Sequence, residues 1–160
     1  MRVRVLVAAG FVVVLAASCG LFGPSTFNLN NASVDSRYAC PRGSNNTPYS
    51  IHASTDAHNG TSSSVTIKTV TAVLTVASVH GSWLEQVGSK YDAGQVSFKP
   101  ASVGAGSDAT LNVIIPSACT NNSGATSGSS YADYKVTLTV ISSAGTNRID
   151  AQNKHRITAA

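Results

Sequence analysis

The chain has 160 residues, eleven Lys and Arg against seven Asp and Glu, and a formal charge of +4. Arg2 and Arg4 lie in a leader segment, so the remainder carries a net charge of only about +2, too little to argue for nucleic acid as a partner. The chain beyond the leader is long enough for one domain with a proper core and not comfortably long enough for two.

Met1 to Ser18 reads as an export signal: two arginines, an uninterrupted apolar run from Val5 to Ala17, and small residues Ala16, Ala17 and Ser18. The run is too short to cross a bilayer, which takes about 20 residues. Leu15-Ala-Ala-Ser-Cys19 resembles the lipobox of bacterial lipoproteins, in which the signal peptide is cut before a cysteine that then carries acyl chains. It departs from the family pattern in one respect, since Leu15 stands one place further from the cysteine than usual and Ala16 holds the preferred position. The resemblance implies a signal peptide over 1–18, lipidation of Cys19, a tether over 19–36 and a domain over 37–160. That domain is expected in the cell envelope, on the outer side of the cytoplasmic membrane. The plainer reading is a secreted protein in which Cys19 is incidental. Acylation contributes about 0.8 kcal/mol per buried CH₂, so a multi-chain anchor is effectively permanent. With Cys19 so used, Cys40 and Cys119 are left as a pair in an oxidising compartment. A bond between them closes a long loop, for which the chain-entropy model gives roughly 4 to 5 kcal/mol.

From Gly20 to Ser36 the residues are small or polar, with a brief alternation over Thr26 to Asn30 that predicts a short edge strand. Arg37 to Pro48 is turn-rich. Tyr49, Ile51, Ala53, Thr55 and Ala57 then alternate with Ser50, His52, Ser54, Asp56 and His58, which predicts a strand ended by the turn Asn59-Gly-Thr-Ser-Ser. Val65 to Val79 is the longest β-prone run. Its phase slips from odd positions at Val65 and Ile67 to even positions at Leu74 and Val76, predicting a bulge or a change of sheet near Thr69 and Val70. His80 to Tyr91 reads mostly as loop, the one place where a short helix is conceivable. Gln95 to Phe98 is a short strand stopped by Pro100, and the alternation of Leu111, Val113 and Ile115 ends at Pro116. Thr120 to Ser130 is low-complexity loop. Tyr134, Val136, Leu138 and Val140 form one face of a further strand, Ser142-Ser-Ala-Gly145 turns it back, and Thr146 to Ile157 alternates again as the second arm of a closing hairpin.

This pattern predicts an all-β fold, an antiparallel immunoglobulin-like β-sandwich of about seven strands. Tyr134-Lys-Val-Thr-Leu-Thr-Val with Ala144-Gly-Thr146 is similar to the last hairpin of PKD-type and other bacterial immunoglobulin-like modules. The likeness covers about a dozen residues, lacks the Trp-Asp-Phe-Gly-Asp-Gly signature of PKD modules, and implies architecture alone. If the strand near Tyr49 runs antiparallel to the one ending at Ile115, as the second and fifth strands do in such sandwiches, Cys40 and Cys119 arrive at the same end. In that arrangement both cysteines fall in loops, unlike the inter-sheet bridge of antibody domains.

Three surface constellations are candidates for function. His52, Asp56 and His58 share one face of a strand, and imidazoles with a carboxylate suit a metal such as Zn²⁺ or Cu²⁺; the plainer reading is a solvated outer face. Trp83 with Tyr91 forms a platform for sugar stacking, or else the single tryptophan plugs the core. Arg148, Lys154 and Arg156 share a face that meets anionic envelope polymers or guards an edge strand. Nucleophile elbows, Ser-x-x-Lys pairs, Cys-x-x-Cys and phosphate-binding glycine loops are missing. The expectation is therefore a non-catalytic binding or interaction module without a cofactor, anchored to the membrane and directed at an envelope protein or polysaccharide.

Overall fold

The computed structural model describes residues 26–121 and 130–159. The export signal, Cys19 and most of the tether lie outside the described residues, as does most of the low-complexity loop.

Eleven strands form two stacked sheets, and no helix occurs among the described residues. The smaller sheet has the order β1 (Phe27–Val34), β3 (Thr47–Asn59), β8 (Ser107–Cys119) and β6 (Ser97–Lys99). The larger has the order β2 (Arg37–Cys40), β11 (His155–Ala159), β9 (Tyr131–Ser142), β4 (Val65–His80) and β5 (Lys90–Gln95). β10 (Gly145–Asp150) pairs with β9, and β7 (Ser102–Val103) with β4. All pairings are antiparallel except β2 with β11. Two stacked sheets closed on one core make the molecule an immunoglobulin-like β-sandwich. Its strands number more than seven because short edge segments pair where turns were expected.

The predicted β3–β8 pairing is present, with Ile51 opposite Ile115 and Tyr49 opposite Ser117. Their inward residues Ile51, Ala53, Ala57, Leu111, Val113 and Ile115 are buried against Leu74, Val76, Val136, Leu138 and Val140 of the other sheet. The phase slip in β4 is a bulge at Lys68, between the Ile67 and Thr69 pairings with β9. The slip also separates Val65 and Thr66, which pair with β7. One extra residue turns odd-inward into even-inward, so Val65, Ile67, Val70, Ala72, Leu74 and Val76 are all buried.

Several expectations need correction. β1 lies inside the stretch read as tether and extends to Val34, beyond the short strand expected to end at Asn30. Pro116 does not end β8, which continues to Cys119. In this ladder the even residues turn their backbone groups away from the β3–β8 interface, as the Asp35 N–H donating to the His52 carbonyl and the Tyr91 hydroxyl donating to the Pro116 carbonyl show. Pro116, and Pro48 opposite Ala118, therefore forfeit no ladder bond. The second arm of the closing hairpin is split, because residues 151–154 bulge out between β10 and β11 while both pair with β9. Two extra residues preserve the side-chain phase. Cys40 and Cys119 are bonded across 79 positions. They are the last residues of β2 and β8, in opposite sheets, so the bridge is an inter-sheet staple at strand ends rather than a link between loops.

Candidate functional site

The two long sides of the sandwich are finished differently. Along the β1 side, side-chain amides from the larger sheet cap the strand edge. Asn153 Nδ2 donates to the Val34 carbonyl at 2.7 Å while its Oδ1 accepts the Val34 N–H at 3.0 Å, Asn147 Nδ2 donates to the Phe27 carbonyl at 3.1 Å, and the Gln152 N–H donates to the Ala32 carbonyl at 2.8 Å. These bonds substitute for a missing neighbour strand.

Along the β8 side the sheets part. β6 covers the outer edge of β8 only from Asn112 to Ile114, so the stretch from Ile115 to Cys119 pairs with β3 on one side and has no strand on the other. A cavity of about 320 Å³ opens there, between β8 and the loop 81–89 that joins β4 to β5. Its floor includes Leu74, Tyr134, Ile157 and Ala159, its walls include Trp83 and Tyr91, and Asn46, Glu85 and Ser117 contribute polar groups.

The structure thus brings Trp83 and Tyr91 to one groove. Trp83 is half-buried; its Nε1 donates to Tyr134 Oη at 3.1 Å and to Glu85 Oε2 at 3.3 Å, and Tyr134 Oη donates to the same carboxylate oxygen. Burial, aided by the Glu85 hydrogen bond and charge, raises the Tyr134 hydroxyl above its ordinary pKa and keeps it a donor. Tyr91 is 44% exposed and its hydroxyl reaches the Pro116 carbonyl at 3.4 Å. The polar atoms of both aromatics are already hydrogen-bonded, so the groove is lined by ring surfaces. Leu84 and Val87 flank it at 80% and 64% exposure. Glu85 and Tyr134, which complete the cluster, were not singled out in the sequence, because Glu85 belongs to an irregular loop and Tyr134 reads as an ordinary core position.

The histidine face is arranged differently from what a metal centre needs. His52, Asp56 and His58 do share the outer face of β3, but each engages separate neighbours. His52 Nδ1 lies 2.9 Å from Asp35 Oδ2, and His58 Nδ1 lies 2.7 Å from Asp108 Oδ1. Asp56 accepts from Asn31 and Thr110. No group of three or more His, Cys, Asp or Glu able to hold a metal occurs among the described residues. Burial pushes the Asp35 carboxyl up, but hydrogen bonds from the His52 backbone and ring outweigh it and hold the carboxyl below the usual range. Each pair resembles two members of a hydrolytic triad. Neither has the third, a hydroxyl hydrogen-bonded to Nε2, among the described residues.

Inside the sandwich, His155 is buried with Nδ1 2.7 Å from the Asp35 carbonyl and Nε2 3.3 Å from Tyr49 Oη. Tyr49 stacks on Tyr38 with ring centroids 3.8 Å apart, and burial pushes its hydroxyl up to about 12. This cluster packs beside the groove, with Tyr49 opposite Ser117 of its rim.

No family model matches the chain, and no curated protein matches it. Among solved structures it is similar to the ASH/PapD-like domain 7 of human CEP192, at 8% identity and a TM-score of 0.33, covering 95% of this chain and 98% of that one. It is also similar to the CooA pilin subunit of enterotoxigenic Escherichia coli, at 11% identity and a TM-score of 0.31, covering 81% and 99%. Likenesses this remote carry no functional argument. The site must be read from its own residues.

Proposed function

We propose that the chain is an extracytoplasmic lipoprotein, anchored through Cys19, whose β-sandwich is a non-catalytic module that binds a protein partner in the groove between loop 81–89 and β8. The basic start, apolar run and lipobox-like Leu15 to Cys19 support the anchor. The groove reading is carried by one observation. An aliphatic floor of Leu74, Ile157 and Ala159 is walled by aromatic rings whose polar atoms are already bonded, and ringed by Asn46, Glu85 and Ser117. An apolar recess with a polar rim is the arrangement that receives anchoring side chains from another protein. The Pro116 nitrogen supplies no edge donor, so the groove is suited to side-chain insertion rather than to the addition of a continuous strand.

Polysaccharide is the second reading, favoured by the convergence of Trp83 and Tyr91 on one groove. A sugar ring stacks on an open aromatic face, whereas Trp83 is half-buried with its indole nitrogen fixed inward. A photo-crosslinking residue at Leu84, in cells producing the full chain, tests both. A discrete protein adduct that disappears in Trp83→Ala is the expected result. Recovery of glycan alone would make the groove a carbohydrate site, and no adduct of either kind would overturn the groove as a binding site.

A further inference from the structure

The two outer faces of the sandwich carry opposite charge, which the small net charge of the chain conceals. On the larger sheet, Arg37, Lys135, Arg148, Lys154 and Arg156 are gathered around only two carboxylates, Asp133 and Asp150. Lys90 and Asp92, at the far edge on β5, offset each other. Arg156 bonds Asp133 at 2.7 Å and lies 4.0 Å from the Tyr131 ring centroid, and Lys135 bonds Asp150 at 2.6 Å. Lys154 and Arg148 approach the same two carboxylates without pairing, and Arg37 stands beside Arg156 with no ion pair among the described residues. Among the described residues the opposite face presents Asp35, Asp56 and Asp108, with Lys99 as its one permanent cation and with His52 and His58 paired to Asp35 and Asp108.

The chain enters the domain through β1, the edge strand of the smaller sheet, where an amide of the larger sheet meets it. Asn147, whose side chain holds the Phe27 carbonyl, is the neighbour of Arg148. From Cys19 to Thr26 the chain can reach at most about 25 Å. A domain on so short a tether lies against the headgroups of its own membrane, and the charge asymmetry decides which side it turns to them.

We propose that the basic outer face of the larger sheet, centred on Arg37, Arg148 and Lys154, docks on an anionic phospholipid bilayer. The orientation rests on the anchor reading, but the affinity of the face does not. Positive groups near an anionic surface act within a Debye length and in sum, so several unpaired cations on one flat face suffice where a single one does not. Docked in this way, the acidic face points away from the membrane.

The test uses the exported chain with Cys19→Ser, which cannot be acylated, in co-sedimentation with vesicles of phosphatidylglycerol mixed into phosphatidylcholine and with vesicles of phosphatidylcholine alone. Binding to the anionic vesicles only, abolished by high salt, is expected. Arg37→Gln/Arg148→Gln/Lys154→Gln should weaken it on the order of a hundredfold, roughly fivefold per charge. Lys99→Gln, which removes a cation from the opposite face, should change it by no more than about twofold for the same reason. Equal binding to both vesicles, or equal loss in the two variants, would overturn the proposal. So would a soluble anionic polymer that occupies the same residues while vesicles do not bind. The mass of the wild-type chain at Cys19 tests acylation separately, so failure of one reading is distinguishable from failure of the other.

Discussion

Asn59 is a polar side chain with no exposure, and it organises the end of β3. Its Nδ2 faces the carbonyls of Ser63, Val103 and Gly104, each at 2.9 Å, and its Oδ1 accepts from the N–H and the hydroxyl of Thr61. Replacement by Ala removes all of these bonds at once and leaves the buried Val103 carbonyl with the Ser64 hydroxyl alone. Asn59→Ala should cost on the order of 3 kcal/mol, measured by urea unfolding. A loss below about 0.5 kcal/mol, the level of an ordinary surface change, would mean that water reaches the loop. His155 makes a second prediction at this scale. Burial outweighs its bond to the Asp35 carbonyl and holds the ring below its ordinary pKa of 6.5, so on acidification the unfolded chain takes up the proton first. Its contribution is complete above pH 6.5 and is lost as the pH falls below that value. Asp35, Asp133 and Asp150 are also held below their ordinary value of 3.8, so a second decline sets in near and below that pH. Unfolding midpoints followed from neutral to acid pH should show both declines. His155→Gln should remove the first and keep the second.

Individual elements show why some of this was legible in the sequence and some was not. The slip in β4 could be placed because inserting one residue reverses side-chain parity, and parity is written in the order of Val65, Ile67, Leu74 and Val76. β3 and the inward face of β9 were legible for the same reason. β2 and β5 were not, because Arg37-Tyr-Ala-Cys40 and Lys90-Tyr-Asp-Ala-Gly-Gln95 are edge segments whose pairing depends on a neighbour rather than on their own alternation. The groove was half legible. Trp83 and Tyr91 stood out by type, whereas Tyr134 and Glu85 reach them only through the packing of β9 against loop 81–89. Pro116 was misread because a sequence cannot show which side of a ladder a nitrogen faces. Here it faces the open edge, where a missing N–H is an advantage against pairing with another chain. Pro116→Ala should therefore leave stability within about 0.5 kcal/mol while increasing self-association in sedimentation velocity. A large loss of stability with no change in association would show that the proline matters to packing instead.

At the scale of the whole molecule, the sandwich is held shut by two closures of different chemistry at separate places. The Cys40–Cys119 bond joins β2 to β8 at one end of the sheets, and the amides of Asn147 and Asn153 join the larger sheet to the β1 edge. The bond acts mainly on the unfolded chain, where a loop of 79 positions corresponds to roughly 4 to 5 kcal/mol. The amides act on the folded state, where each bond contributes about 1 kcal/mol net. Because the two closures share no partner, Cys40→Ser/Cys119→Ser combined with Asn153→Ala should lose close to the sum of the separate losses, within about 0.5 kcal/mol. A coupling well above that would mean that the sheets separate as one hinge. Only the bridge borders the groove, through Cys119, so the cysteine variant should also shift the emission of Trp83 and weaken crosslinking at Leu84, while Asn153→Ala should leave both unchanged. Unfolding in denaturant, read once by far-ultraviolet dichroism and once by Trp83 fluorescence, measures both effects in the same samples. Coincident transitions in the wild type and earlier movement of the fluorescence signal in the cysteine variant are the expected result. Such a separation would place the groove at the end of the sandwich that opens first.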